Sequence, residues 1–316
     1  DVERSRGLGD VYKRQFRDFG IYSDHEPIKQ CCGSVRRRCN RMCLRNSPTT
    51  ERHNIMTFIK SLACTFLMYS RIPMPQVEWN EDNRRYSLAL FPLVGAIIGA
   101  LLVVWTLICN LLDIGKWLYA AVCCLIPIAV TGGIHADGFS DVTDAKSSYA
   151  PREKKLEIMS DPHVGSFAVI FTVLYFILQF GLFTEIDGVR AAIIPACGFV
   201  LSRTLSGFAA VTFKCAKKDG TLQSFVKPAH KRNSIIFLAF FACASIAGMF
   251  ISDPICGLSS AAAALISLIC YRISAYKTFG GITGDTEGHF LQICEISQLG
   301  AAVAAGLIAA KIQEVL

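Results

Sequence analysis

Long uncharged apolar runs recur along the chain, separated by polar stretches that carry nearly all of its charge. A helix that crosses the hydrocarbon core of a bilayer needs about 20 mainly apolar residues. Segments 88–112, 117–134, 166–184, 191–212, 234–251 and 255–271 approach or exceed that length. A further candidate, 297–311, is weaker because it is rich in Ala and Gly, and 57–70 is short enough to read as interfacial or re-entrant. The pattern predicts an all-α, polytopic integral membrane helix bundle with six to seven transmembrane helices. A soluble helical protein would show charged outer faces on its helices, and these runs have none.

Composition agrees. The chain is 52% hydrophobic and 18% charged, against about 25% charged for ordinary soluble domains. Disorder, coiled coil and a secreted disulfide scaffold are excluded. Ten of the 14 cysteines lie from residue 64 onward, mostly inside apolar runs, where a free thiol acts as a small hydrophobe.

Residues 1–55 differ in character from the rest of the chain. They lack an apolar period, contain Arg36-Arg37-Arg38, and carry 12 Lys/Arg against 7 Asp/Glu. Residues 56–316 carry 20 against 18, so most of the net charge of +7 is in this leading segment and nucleic acid is not an expected partner. Its cysteines, Cys31, Cys32, Cys39 and Cys43, lack a paired C-x-x-C zinc spacing. The opening resembles translated adaptor or vector sequence. We expect 1–55 to be a non-native or disordered extension and 56–316, from Met56, to be the membrane-embedded domain.

Basic residues give the orientation. Of the 20 Lys/Arg from residue 56 onward, 16 fall in 56–87, 135–165, 213–233 and 272–296, all on one side of the predicted spans. Three (Lys116, Arg190, Lys311) fall on the other side and Arg203 inside a span. The richer side is expected to be cytoplasmic. His135, His163, His230 and His289 lie on it, as do the acidic clusters.

The most informative stretch is Thr131-Gly132-Gly133-Ile134-His135-Ala136-Asp137-Gly138-Phe139-Ser140-Asp141-Val142-Thr143-Asp144. Asp137, Asp141 and Asp144 are spaced by four and three, which stacks them on one helix face. Three carboxylates that close repel unless a cation neutralises them, and oxygen ligands select a hard ion: Mg²⁺, with Mn²⁺ as the alternative. A solvated face would interleave lysines, and the next one is Lys146. Asp161, just before Pro162, suits either a helix cap or a further metal ligand. His135 and the carboxylates are the candidate proton acceptors, and the sequence does not choose between them.

A second polar constellation, Gly280-Gly281-Ile282-Thr283-Gly284-Asp285-Thr286-Glu287-Gly288, precedes the last apolar run. Closely spaced glycines let backbone N–H groups approach phosphate oxygens, and Thr hydroxyls add donors. Thr283, Gly284, Asp285 and Thr286 are therefore candidate phosphate-binding residues. Arg203 sits deep in an apolar run, where a charge is costly and tends to be functional. It suits a carboxylate partner, a phosphate or a snorkelling position. Gly95-x-x-x-Gly99 reads as a helix-packing motif.

Taken in order, these residues resemble the cobalamin-5′-phosphate synthase family, also called adenosylcobinamide-GDP ribazoletransferases. The resemblance covers about 56–311. It rests on Tyr69-Ser70-Arg71-Ile72-Pro73, on Phe91-Pro92-Leu93-Val94-Gly95, and on the Thr131–Asp144 motif continuing through Glu157-Ile158-Met159, Asp161 and Gly165. The Gly280–Gly288 segment completes it. Ala145 stands where the family has Gly, a mild departure.

The resemblance implies a multi-pass enzyme of the bacterial or archaeal cytoplasmic (inner) membrane, with its active site facing the cytoplasm. Its substrates would be adenosylcobinamide-GDP and α-ribazole or its 5′-phosphate, its products adenosylcobalamin (or the 5′-phosphate) and GMP, with Mg²⁺ as cofactor. A homo-oligomer is compatible with it. Asp137, Asp141 and Asp144 would hold one or two metal ions, Asp161 would complete a second site, and Arg203 and Thr283–Thr286 would clamp phosphates.

Two other readings compete with it. CDP-alcohol phosphotransferases of lipid synthesis also set an Asp-Gly motif beside a membrane helix, but theirs continues Ala-Arg where this chain has Asp141-Val142. A cation transporter would place carboxylates within the membrane; here they cluster at one side, and no repeat is visible.

Overall fold

The computed structural model describes residues 48–217 and 220–315, with side chains from Met56 onward. The first helix, α1 (Pro48–Tyr69), begins the described chain. Two single-turn helices come after it, α2 (Glu81–Arg84) and α3 (Ser87–Leu90), and lead directly into α4 (Pro92–Leu111). Next come α5 (Lys116–Thr131), α6 (Ile134–Ser147), α7 (Arg152–Ile158), α8 (Ser166–Phe183) and α9 (Gly188–Thr212). The chain ends with α10 (Thr221–Val226), α11 (Lys231–Ser252), α12 (Pro254–Phe279) and α13 (Gly284–Val315). No β-sheet forms among the described residues; the only strand-like feature there is a single parallel bridge between Cys215 and Ile282. The chain is a polytopic helical membrane protein.

Six helices (α4, α8, α9, α11, α12 and α13) are long and apolar enough to cross a membrane, and the bent pair α5–α6 makes a seventh if counted as one span. The predicted number of six to seven spans is borne out, although 117–134, predicted as a full span, reaches that length only as the bent pair with α6. The apolar part of α1, Met56–Tyr69, is short, as expected. Residues 1–47 lie outside the described residues, and so does most of the expectation of a leading extension. The backbone of 48–55 is helical and continuous with α1 across Met56. The ten described cysteines are free.

Helix starts and stops obey local chemistry. Pro92 and Pro254 occupy first helical positions, where a missing N–H is not needed. Asp253 caps α12 by accepting from the Cys256 N–H at 2.8 Å. Gly280 ends α12 in the left-handed region, at φ 74°.

Exposure is inverted relative to a soluble protein. On α8, Val169, Leu174, Ile177 and Leu178 are each more than half exposed, as lipid-facing positions should be. Ser202, Arg203, Ser206, Glu287 and Glu295 are buried. Helix α9 is the central element, packed by α4, α11, α12 and α13. Its approach to α4 is set by Gly95, which lies on the Phe199 carbonyl, and by Gly99, where a Cβ would come within 2.5 Å of the Ala196 oxygen. The Gly95-x-x-x-Gly99 reading is therefore correct.

The last helix differs from expectation. It runs from Gly284 rather than from about 297. Its first half carries Asp285, Glu287, His289 and Glu295 and is not apolar. Buried partners on α9, rather than hydropathy, hold this half in the bundle.

Candidate functional site

Helix α5 ends at Thr131, and the chain turns by 95° into α6. Gly132 (φ 68°) and Gly133 (φ 82°) are both left-handed, a pair of conformations that side-chain-bearing residues adopt at a cost. Gly132 is doubly constrained, because a Cβ there would meet the Arg71 side chain at 2.5 Å. The bend brings α6 across the bundle end where α8 and α13 begin and α9 and α12 finish.

Two glycines then join two segments that lie far apart in the sequence. A Cβ on Gly138 would stand 2.8 Å from the Asp285 carbonyl oxygen and 3.0 Å from its Cα. A Cβ on Gly288 would stand 3.1 Å from the His135 carbonyl oxygen. The backbones of α6 and α13 thus cross with nothing between them, and Asp285 is seated one residue from Asp137. The glycines of both motifs serve this close approach.

On α6, His135, Gly138, Phe139, Val142, Thr143 and Ala145 are buried. Asp137 is exposed, and Asp141 and Asp144 are half-buried. The three aspartates share one face, as predicted. The Asp144 carboxylate lies directly over Gly165, at the start of α8, where any side chain would displace it. Phe139 stacks on His289 at 5.4 Å, and His289 Nε2 is 3.5 Å from Lys146 Nζ.

Neighbouring loops complete the rim. Ile282 donates its N–H to the Lys214 carbonyl and accepts from the Ala216 N–H, both at 2.9 Å. This seats the exposed Lys214 and Lys217 beside the start of α13. Lys217 Nζ donates to Ser160 Oγ at 3.1 Å, tying in the 159–165 loop.

Several predicted site residues are placed differently from expectation. His135 is buried, edge-on to Phe91 at 5.9 Å, with no hydrogen-bond partner at Nε2 among the described residues. At about 100° per residue it falls nearly opposite the aspartate face, so the geometry does not bring the imidazole to the carboxylates. Thr283 and Thr286 do not form an open phosphate loop. Thr283 Oγ1 accepts from the Thr286 N–H at 3.2 Å, and Thr286 Oγ1 accepts from the Thr283 N–H at 2.8 Å. This reciprocal capping box starts α13, and Tyr271 closes on Thr286 at 3.1 Å. Gly284 is simply the first, exposed helical residue.

Arg203 is fully buried and ion-paired with Glu295, with Ser202 Oγ at 2.9 Å from its guanidinium. Burying a lone charge in a bundle is costly and pairing offsets it. Its partner is therefore a carboxylate of α13 rather than a phosphate. Asp161 is exposed and accepts from the His163 N–H at 3.0 Å and from His163 Nδ1 at 2.6 Å. These bonds hold its carboxyl below the usual carboxylate range. It caps a local turn in the loop whose Gly165 lies against the Asp144 carboxylate.

The sequence reading missed the polar seam between α9 and α13. Ser206 donates to Glu287 at 2.5 Å, and Ser202 donates to Glu295 at 3.1 Å. Helical spacing of Ser202, Arg203 and Ser206 opposite Glu287, Glu295 and Gln298 was the available signal.

The α6 face offers only carboxylate oxygens, the donor type that Mg²⁺ or Mn²⁺ takes. By donor chemistry the residues fit such an ion. Among the described residues no three His, Cys, Asp or Glu side chains converge closely enough to hold one as placed, so binding would require the carboxylates to change rotamer.

Comparison with known proteins adds an independent line. Residues 61–303 match the family model described as cobalamin-5-phosphate synthase. A protein of Lachnoclostridium phytofermentans called adenosylcobinamide-GDP ribazoletransferase is 42% identical over 254 residues, which is 80% of this chain and 97% of that protein. One of the same name from Clostridium perfringens is 31% identical over 76% of this chain and 96% of its own length. A third, from Geobacillus kaustophilus, is 32% identical over 71% and 88%. No solved structure matches.

Proposed function

The chain belongs to the cobalamin-5-phosphate synthase family, and on that premise we propose that it is an adenosylcobinamide-GDP ribazoletransferase. It joins the corrinoid phosphate of adenosylcobinamide-GDP to α-ribazole or its 5′-phosphate and releases GMP. The observation that carries this reading is the crossing of α6 and α13 at Gly138 and Gly288. It sets the Asp285 backbone against α6 next to Asp137, joining two polar segments about 150 residues apart at one end of the bundle.

The reaction is a displacement at phosphorus. A ribose hydroxyl oxygen bonds to the corrinoid-side phosphorus, the bond from that phosphorus to the bridging oxygen breaks, and the electron pair leaves on GMP. Positioning and charge stabilisation dominate such chemistry. Asp137, Asp141 and Asp144 are the residues that would hold Mg²⁺. When bound, Mg²⁺ supplies charge neutralisation at the diphosphate oxygens. The carboxylate oxygen of Asp137 that such an ion would leave free accepts the hydroxyl proton in this account, Asp137 being the exposed member of the face. Lys214 and Lys217 on the rim draw the anionic diphosphate in. Asp285 orients the incoming hydroxyl from the α13 side.

We place the protein in the bacterial cytoplasmic membrane, with this site at the cytoplasmic surface. The basic asymmetry, 16 Lys/Arg against three, supports that orientation. The test is GMP release from adenosylcobinamide-GDP and α-ribazole by protein in liposomes, with and without Mg²⁺. Absence of GMP with both substrates present would overturn the proposal.

A further inference from the structure

A cleft of about 620 Å³ lies between α7 and the last turns of α12, and the proposed reaction does not use it. Arg152 and Lys155 line one wall; Cys270, Ile273, Ser274 and Lys277 line the other. The cleft is separated from the aspartate face by a packed cluster of Val142, Ala145, Met159 and Phe279. It is therefore a second feature of the same end of the bundle.

Its wall on α12 is graded. Cys270, Ile273, Ser274 and Lys277 recur at helical spacing on one side of α12 and pass from apolar through hydroxyl to ammonium within about 10 Å of helix. Below them the stripe continues through Ile266 and Ile269, each 60% exposed, and Ile273 itself is 62% exposed. These are lipid-facing positions in a membrane span. The cleft thus opens onto the hydrocarbon-facing surface of α12 and ends in three cations.

Those cations are uncompensated. Among the described residues none of Arg152, Lys155 and Lys277 has a carboxylate partner, whereas the adjacent Lys154 is paired with Glu157 at 2.8 Å. Arg152 is also held in place. Its guanidinium packs over Gly280, whose left-handed φ of 74° and bare Cα leave room for it.

We propose that this cleft is a headgroup site for an anionic phospholipid. The phosphodiester lies among Arg152, Lys155 and Lys277, with Ser274 as a hydrogen-bond donor, and the acyl chains run along Cys270, Ile273, Ile269 and Ile266. Basic pockets between helices at the membrane surface suit such headgroups. A soluble phosphate shares the headgroup chemistry but gains nothing from the apolar stripe.

The test uses the full chain in nanodiscs of equal phosphatidylglycerol and phosphatidylcholine, with retained lipid read by native mass spectrometry after release into detergent. Wild type should retain phosphatidylglycerol with roughly tenfold preference. The pair K155Q/K277Q should bring this near parity, while K231Q/R232Q, at the start of α11, should leave it unchanged. Millimolar inorganic phosphate should not displace the lipid. Parity in wild type, a preference that survives K155Q/K277Q, or full displacement by inorganic phosphate would each overturn the proposal. The wild-type and phosphate arms need no variant, so a misfolded K155Q/K277Q chain does not shield it.

Discussion

Replacing Gly138 by Ala places a methyl group where the backbones of α6 and α13 touch. Its Cβ would stand 2.8 Å from the Asp285 carbonyl oxygen, 3.0 Å from the Asp285 Cα and 3.3 Å from its carbonyl carbon, against 3.4 Å or more for ordinary contact. Neither side of this crossing is a flexible side chain, so the helices must separate by roughly 0.6 Å, the gap between those contact distances. Overpacking of this kind costs about 1–3 kcal/mol. Ala is favoured over Gly in a helix interior by about 1 kcal/mol, so the net loss of stability should not exceed about 2 kcal/mol. Activity should fall much further, because a misplacement approaching 1 Å costs on the order of 100-fold. The assay pairs the rate of GMP release with thermal unfolding in detergent. Gly181→Ala on α8, where nothing lies within 4 Å of the new Cβ, is the control: it should match wild type in activity and be at least as stable. A Gly138→Ala protein with wild-type activity would refute the claim that this crossing sets the site. So would a loss of activity explained entirely by unfolding.

The buried polar groups give two further expected outcomes. Arg203→Met leaves Glu295 buried without its cation and should cost about 3–5 kcal/mol, while Arg203→Met with Glu295→Leu should recover most of that loss. Detergent-denaturation titrations measure both, and a single variant no worse than the double would contradict the pairing. Thr286→Val removes half of the capping box that starts α13 and should lower stability by about 1–2 kcal/mol. An unchanged midpoint would show that the cap is dispensable.

The apolar spans were legible because lipid-facing helices must be apolar whatever their partners. The shared face of Asp137, Asp141 and Asp144 was legible because it is a property of one helix. The extent of α13 was not, since its first half is held by Ser202, Arg203 and Ser206 of a helix about 90 residues away, and hydropathy is blind to such pairing. Thr283 and Thr286 looked like a phosphate loop because capping and anion binding draw on the same residues at the same helix end. The placement of His135 opposite the aspartates is a consequence of 3.6 residues per turn and was within reach of the sequence. The adjacency of Gly138 to Asp285 was beyond it, because no local pattern says which two glycine-bearing helices will meet.

The central claim is that the α6 aspartate face performs phosphoryl transfer to α-ribazole. It is tested most directly by GMP release in liposomes containing adenosylcobinamide-GDP, α-ribazole and Mg²⁺, comparing wild type with Asp137→Ala. The account predicts release by wild type, its abolition by a chelator, and a loss of about 10²-fold or more in a folded Asp137→Ala protein. A folded Asp137→Ala protein that releases GMP at the wild-type rate would contradict it.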